Sequence, residues 1–143
     1  MKTLEDIDGF EYDWLACDKS GQVGLFSTAG TGYAPEVFLA DTEVYDKAID
    51  EILKLPVTTS AKTFPKIKED LENRWKQASK RGFYGYDTDF NSGDYSLVSI
   101  PKNPIFIEEL PVEIAEVVKQ FRFEDVLFDS TDCFTKLDIK SFK

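Results

Sequence analysis

The stretch from Tyr12 to Pro35, YDWLACDKSGQVGLFSTAGTGYAP, limits the fold more than any other part of the chain. Tyr12, Trp14 and Ala16 alternate with Asp13, Leu15 and Cys17, the period-two pattern of a strand. Asp18-Lys19-Ser20-Gly21 is turn chemistry, with Gly21 free to take positive φ. Val23, Leu25 and Phe26 resume the apolar run until Ala29-Gly30-Thr31-Gly32 breaks it. The pattern predicts a β-hairpin. A hairpin alone is marginal in water, so its aromatic surface requires further strands or a helix to cover it.

The rest of the chain supplies those elements. The first ten residues are polar, and only Phe10 is expected to reach the hairpin. Ala34 to Leu39 reads as a short extended piece before a helix that Asp41 or Thr42 caps. Val44, Tyr45, Ala48, Ile49, Ile52 and Leu53 form its apolar stripe, and Leu55-Pro56 ends it. Val57 to Lys62 is a polar connector. A second helix is predicted from near Thr63 and Pro65 to Arg81-Gly82, with Phe64, Ile67, Leu71, Trp75 and Ala78 inward. Phe83–Asp89 and Tyr95–Ile100 read as strands, Ile105–Ile107 as a short one among prolines. Pro111 opens a third helix carrying Ile114, Ala115, Val118 and Phe121 inward. Phe123–Phe128 reads as the last substantial strand, and Cys133–Leu137 as a further one. Residues 1–143 therefore predict a single α+β domain: a mainly antiparallel sheet of about five to seven strands, with about three helices packed on it.

Charge narrows the partners. The net charge is −10, and it is uneven. Residues 1–50 hold eleven acids and three bases, residues 51–82 four and eight, and residues 83–143 twelve and six. Such an acidic balance disfavours nucleic acid and phospholipid headgroups and favours a basic protein. No apolar run approaches the ~18–20 residues that span a bilayer. The start, MKTLEDIDGFEYD, carries acids where a secretory signal needs a basic end and an apolar core, so residence in the cytoplasm is the expectation. Cys17 and Cys133 then read as reduced thiols.

Catalytic patterns are thin. The chain has no histidine, which removes the usual general base and every Ser-His or Cys-His arrangement. Carboxylate pairs remain, but they need an acid-lined cleft whose geometry a sequence does not give. Asp87-x-Asp89-x-Asn91 resembles the start of a calcium loop, yet Ser92 replaces the turn glycine and Val98 the closing glutamate. Gly30-Thr31-Gly32 lacks the lysine and the immediate helix of a phosphate cradle. The reading is therefore a binding protein rather than an enzyme, with no cofactor and no metal.

Tyrosines beside acids mark the expected contact surface. Tyr12, Tyr33, Tyr84, Tyr86 and Tyr95 lie near Asp13, Asp18, Glu36, Asp87, Asp89 and Asp94 in the two hairpins. Tyrosine gives a rigid apolar area with a polar tip, and carboxylates steer a cationic partner. Three segments carry a resemblance: DWLACDKSGQVGLFSTAGTGYAPE, GFYGYD (Gly82 to Asp87) and YSLVSIPKNPIFIEELP (Tyr95 to Pro111). Together they resemble small acidic bacterial proteins of polymorphic or contact-dependent toxin loci. The resemblance implies an immunity protein that binds and neutralises a cognate toxin domain. An acidic adaptor or DNA mimic that binds a basic, nucleic-acid-associated host protein is the alternative.

Overall fold

The computed structural model describes residues 1–64, 74–89 and 92–140. The hairpin forms as the alternation predicts. Strand β1 (Asp13–Cys17) runs antiparallel to β2 (Val23–Ser27), with Asp13 opposite Ser27 and Trp14 opposite Phe26. Asp18 builds the turn, because its Oδ1 accepts the amides of Ser20 and Gln22 and the hydroxyl of Ser20. The chain then leaves β2 through a left-handed pair, Ala29 and Gly30. The Thr31 and Gly32 amides both donate to the Thr28 carbonyl. They are spent inside the turn, which leaves no amide cradle for a phosphate.

Two helices follow the turn. The expected extended piece is instead a short helix, α2 (Glu36–Ala40). Pro35 sets the entry φ, and its carbonyl accepts from Phe38 and Leu39. Helix α3 (Thr42–Leu53) follows at once, with the Asp41 carboxylate taking the Val44 amide at 3.2 Å. Tyr45, Ala48, Ile49 and Ile52 face the core. The connector is partly a strand, β3 (Ala61–Thr63), so the second helix does not begin at Thr63. Residues 65–73, where most of that helix was expected, lie outside the described residues; its end is α4 (Arg74–Ser79).

Strand β4 (Tyr84–Thr88) lies beside β2 and runs parallel to it. This corrects the expected mainly antiparallel sheet to a mixed one. A chain that crosses a sheet through helices returns in its original direction, and the α2–α4 segment does that between β2 and β4. Strand β5 (Tyr95–Pro101) pairs antiparallel with β4, and its far edge is shared by β3 and β6 (Cys133–Phe134). The order is β1-β2-β4-β5-β3, with β6 also on β5.

The described residues hold six α-helices rather than three. One is α1 (Leu4–Ile7), closed by a reciprocal Thr3–Asp6 cap. Ile7 is buried there, whereas Phe10 is 63% exposed, so the anchor of the first ten residues is not the one expected. Helix α5 (Val112–Val118) starts after Pro111 as predicted, and α6 (Lys136–Lys140) follows β6. The two remaining strand expectations fail. Residues 105–107 make one bridge, Gln22 to Phe106, and lead into a 3-10 turn at Ile107–Glu109. Residues 123–128 form no strand; beside them Cys17 exchanges backbone bonds with Phe121 and Phe123, and the Lys19 amide donates to the Val126 carbonyl. Phe121, Phe123 and Phe128 are all buried, against the alternation a strand imposes.

Those rings cover one face of the sheet. Trp14, Phe26 and Tyr86 are register neighbours across three strands and stack at 4.2 and 4.7 Å between centroids. Phe121, Phe123, Phe128 and Phe134 close over them. The opposite face carries Leu15, Leu25 and Gly85, covered by α3 and α4. Gly85 admits α4, since a Cβ there would lie 3.0 Å from the Trp75 Cβ.

Candidate functional site

Strand alternation decides what stands next to the aromatic row. Asp13, Ser27 and Asp87 are partners in the adjoining row of the same three strands, so they point to the helix face. With strands about 4.8 Å apart, the Asp13 and Asp87 backbones are roughly 10 Å apart with Ser27 between them. Glu11 continues the same alternation upstream. Helix α3 adds Asp46 and Asp50, and α4 adds Arg74 and Trp75. Together with Ala29 these residues line a cavity of about 720 Å³.

The cavity is short of positive charge. Among the described residues five carboxylates line it, with Arg74 as the one cation. The guanidinium stands 3.4 Å from Asp13, 3.8 Å from Asp46 and 3.5 Å from Asp50. Ser27 Oγ donates to Asp13 Oδ1 at 2.5 Å. Burial pushes the Asp13 carboxyl above its ordinary range, although Ser27 and Arg74 pull it down. Burial does the same at Asp87, where the Thr88 amide opposes it and the charges of Glu11 and Asp13 add to it. Asp46 is raised too, by burial first, with Arg74 opposing and Asp50 and Glu43 adding. A carboxylate desolvated without full pairing is costly, and an added cation relieves that cost.

Of the eleven tyrosines and acids expected at the surface, the structure brings Asp13 and Asp87 together here. Tyr12 is half-buried, edge-on to Phe38. Tyr33 is half-buried under the Lys136 ammonium, 5.3 Å from its ring centre. Glu36 is exposed at the start of α2, and Asp89 is exposed in the β4–β5 loop with Asp94 half-buried beside it. Four residues are withdrawn from solvent, among them Tyr95, whose hydroxyl donates to the Tyr33 carbonyl at 2.6 Å. Tyr84 packs on Phe128, and Tyr86 donates its hydroxyl to the Thr131 carbonyl at 2.7 Å. Both alternate with Gly85 and so face the aromatic layer. Asp18 is buried because its own turn and the Phe128 amide take its oxygens.

Asp46 and Asp50 were missed by the sequence reading. Their signal was the spacing Glu43, Asp46, Asp50, an acidic stripe beside the apolar one on the same helix. The calcium-like pattern divides, with Asp87 in the cavity, Asp89 in the loop and Asn91 outside the described residues. Among the described residues no group of three or more Cys, Asp or Glu is arranged to hold a metal ion. No helix there is long and apolar enough to cross a membrane. No protein-family model matches the chain, and comparison with curated proteins and with solved structures gives no match.

Proposed function

We propose that the chain is a cytoplasmic immunity-type protein that binds a basic toxin domain of its own cell through the acid cavity and neutralises it without turnover. The observation that carries this reading is the imbalance, among the described residues, of five carboxylates against one guanidinium in a preformed concavity. Asp13 and Asp87, already largely withdrawn from water, give an arriving lysine or arginine a stronger interaction than they would in water. The net charge of −10 adds long-range attraction for a basic domain. Tyr12, Tyr33, Glu36, Asp89 and Asp94 lie outside the lining of the cavity, whereas Asp18, Tyr84 and Tyr86 are buried and act by holding the scaffold.

The test is co-expression with the C-terminal domain encoded by the neighbouring large gene. Rescue of growth and a stable complex are expected, both weakened by pairing Asp13→Asn with Asp50→Asn. No rescue and no complex with any neighbour would end the immunity reading. Capture of a host DNA-binding protein instead would move it to an acidic adaptor.

The same cavity supports a second reading. Asp13 and Asp87, both raised by burial and flanking Ser27, are the pair that a hydrolase using one protonated and one ionised carboxyl would need. Turnover of a glycoside that disappears with Asp87→Asn would favour it over binding alone.

A further inference from the structure

Resting on the reading of the cavity as a cation site, we propose that Arg74 is its resident and displaceable occupant, holding the place that a partner's guanidinium or ammonium group takes on binding. Arg74 reaches carboxylates on two separate elements, Asp13 on β1 and Asp46 and Asp50 on α3. None of these contacts is shorter than 3.4 Å, and its side chain is 42% exposed. Contacts of that length at a wet site are each weak.

Arg81 shows what a committed arginine looks like in the same fold. Its guanidinium donates to the carbonyls of Leu53 at 2.9 Å and of Leu55 and Gln77 at 3.0 Å. It ties the end of α3 to α4 through short bonds to backbone. Among the described residues the partners of Arg74 are carboxylates at longer range.

Exchange is therefore inexpensive. Arg74 can turn outward while an incoming cation meets the same oxygens, and the fold keeps its own supports. An occupant of this kind lowers the apparent affinity by the fraction of time it fills the site. It also keeps the empty cavity from collecting stray cations.

The probe is agmatine, which carries a guanidinium and an ammonium group, titrated at low salt and neutral pH. The side-chain Nε–H signals of the arginines are followed by NMR. In the wild-type chain the Arg74 signal should move toward rapid exchange with water while that of Arg81 stays put. Arg74→Gln should tighten agmatine binding roughly fivefold to tenfold, and Arg74→Lys should fall between. Lys47→Gln, the same charge change on exposed α3 surface, should leave the affinity within about twofold. Equal or weaker binding by Arg74→Gln would show that Arg74 supports the cavity rather than fills it, and would overturn the inference while leaving the cation site standing. Absence of agmatine binding in every variant would remove the cation site itself, and the inference with it.

Discussion

The Asp18 carboxylate accepts the backbone amide of Phe128 at 2.9 Å, a bond across 110 residues of chain. Its other oxygen is held by the hairpin turn, through the Ser20 and Gln22 amides. One buried side chain thus fastens the C-terminal aromatic segment to the first hairpin. The Lys19 amide, donating to the Val126 carbonyl at 2.9 Å, adds a second stitch.

Replacing Asp18 leaves several buried donors unpaired. Asp18→Ala should destabilise the protein by about 3 kcal/mol, read from urea unfolding. Asp18→Asn keeps the shape but turns one acceptor into a donor, so it should lose most of that amount. Loss below about 0.5 kcal/mol in both would mean that Asp18 does not carry the joint.

The acid cavity should cost stability at neutral pH. Asp13, Asp46 and Asp87 have folded-state pKa values above their unfolded ones, so the folded protein binds protons more tightly. Their contribution to stability is present at low pH and lost as pH rises through the raised folded values. Asp87→Asn removes one such charge and keeps an oxygen for the Thr88 amide, which it meets at 2.9 Å. It should raise stability at pH 7 by up to about 1 kcal/mol and flatten the loss as pH rises from the ordinary carboxylate range toward neutrality. Thermal unfolding across that range checks both, and a destabilised variant with an unchanged profile would contradict the account.

Gly32 is fixed by contact rather than by φ. A Cβ there would meet Thr88 Oγ1 at 2.5 Å and the Tyr95 hydroxyl at 2.7 Å. Those atoms are themselves committed, to the carbonyls of Ser27 at 2.7 Å and Tyr33 at 2.6 Å. Gly32→Ala should cost about 1–3 kcal/mol, lowering Tm by several degrees in a scanning-calorimetry trace. An unchanged Tm would show that the turn has room to shift.

Within the aromatic row, shape should outweigh polarity. Tyr86→Phe keeps the stack on Phe26 and loses only the hydroxyl bonds to Thr131 and Phe128, for about 1 kcal/mol. Phe26→Leu breaks ring contacts on both sides and should cost about 2–3 kcal/mol. The reverse order in urea midpoints would refute this.

Local pattern made the hairpin, α3 and the β4–β5 pair legible, because alternation, turn residues and an Asp cap all act over a few neighbours. The parallel β2–β4 pairing depends on how a long crossover folds back, and the strands themselves do not record it. Phe123–Phe128 misled for a related reason: β-prone residues met a joint, Asp18 to Phe128, that no local rule reveals. Asp13 and Asp87 were identified as acids beside tyrosines, but not as row partners joined through Ser27. That placement, with Asp46 and Asp50 brought in by α3, exists only once the sheet has its order.

Because the rings that roof Trp14 and Phe26 come from residues 121–134, the β1–β2 hairpin leaves the ribosome long before that roof exists. During synthesis that hairpin stays sticky while about a hundred further residues are added. A chaperone that grips apolar stretches should therefore hold nascent chains stalled after residue 110 and release those extended past residue 134 together with enough extra chain to clear the exit tunnel.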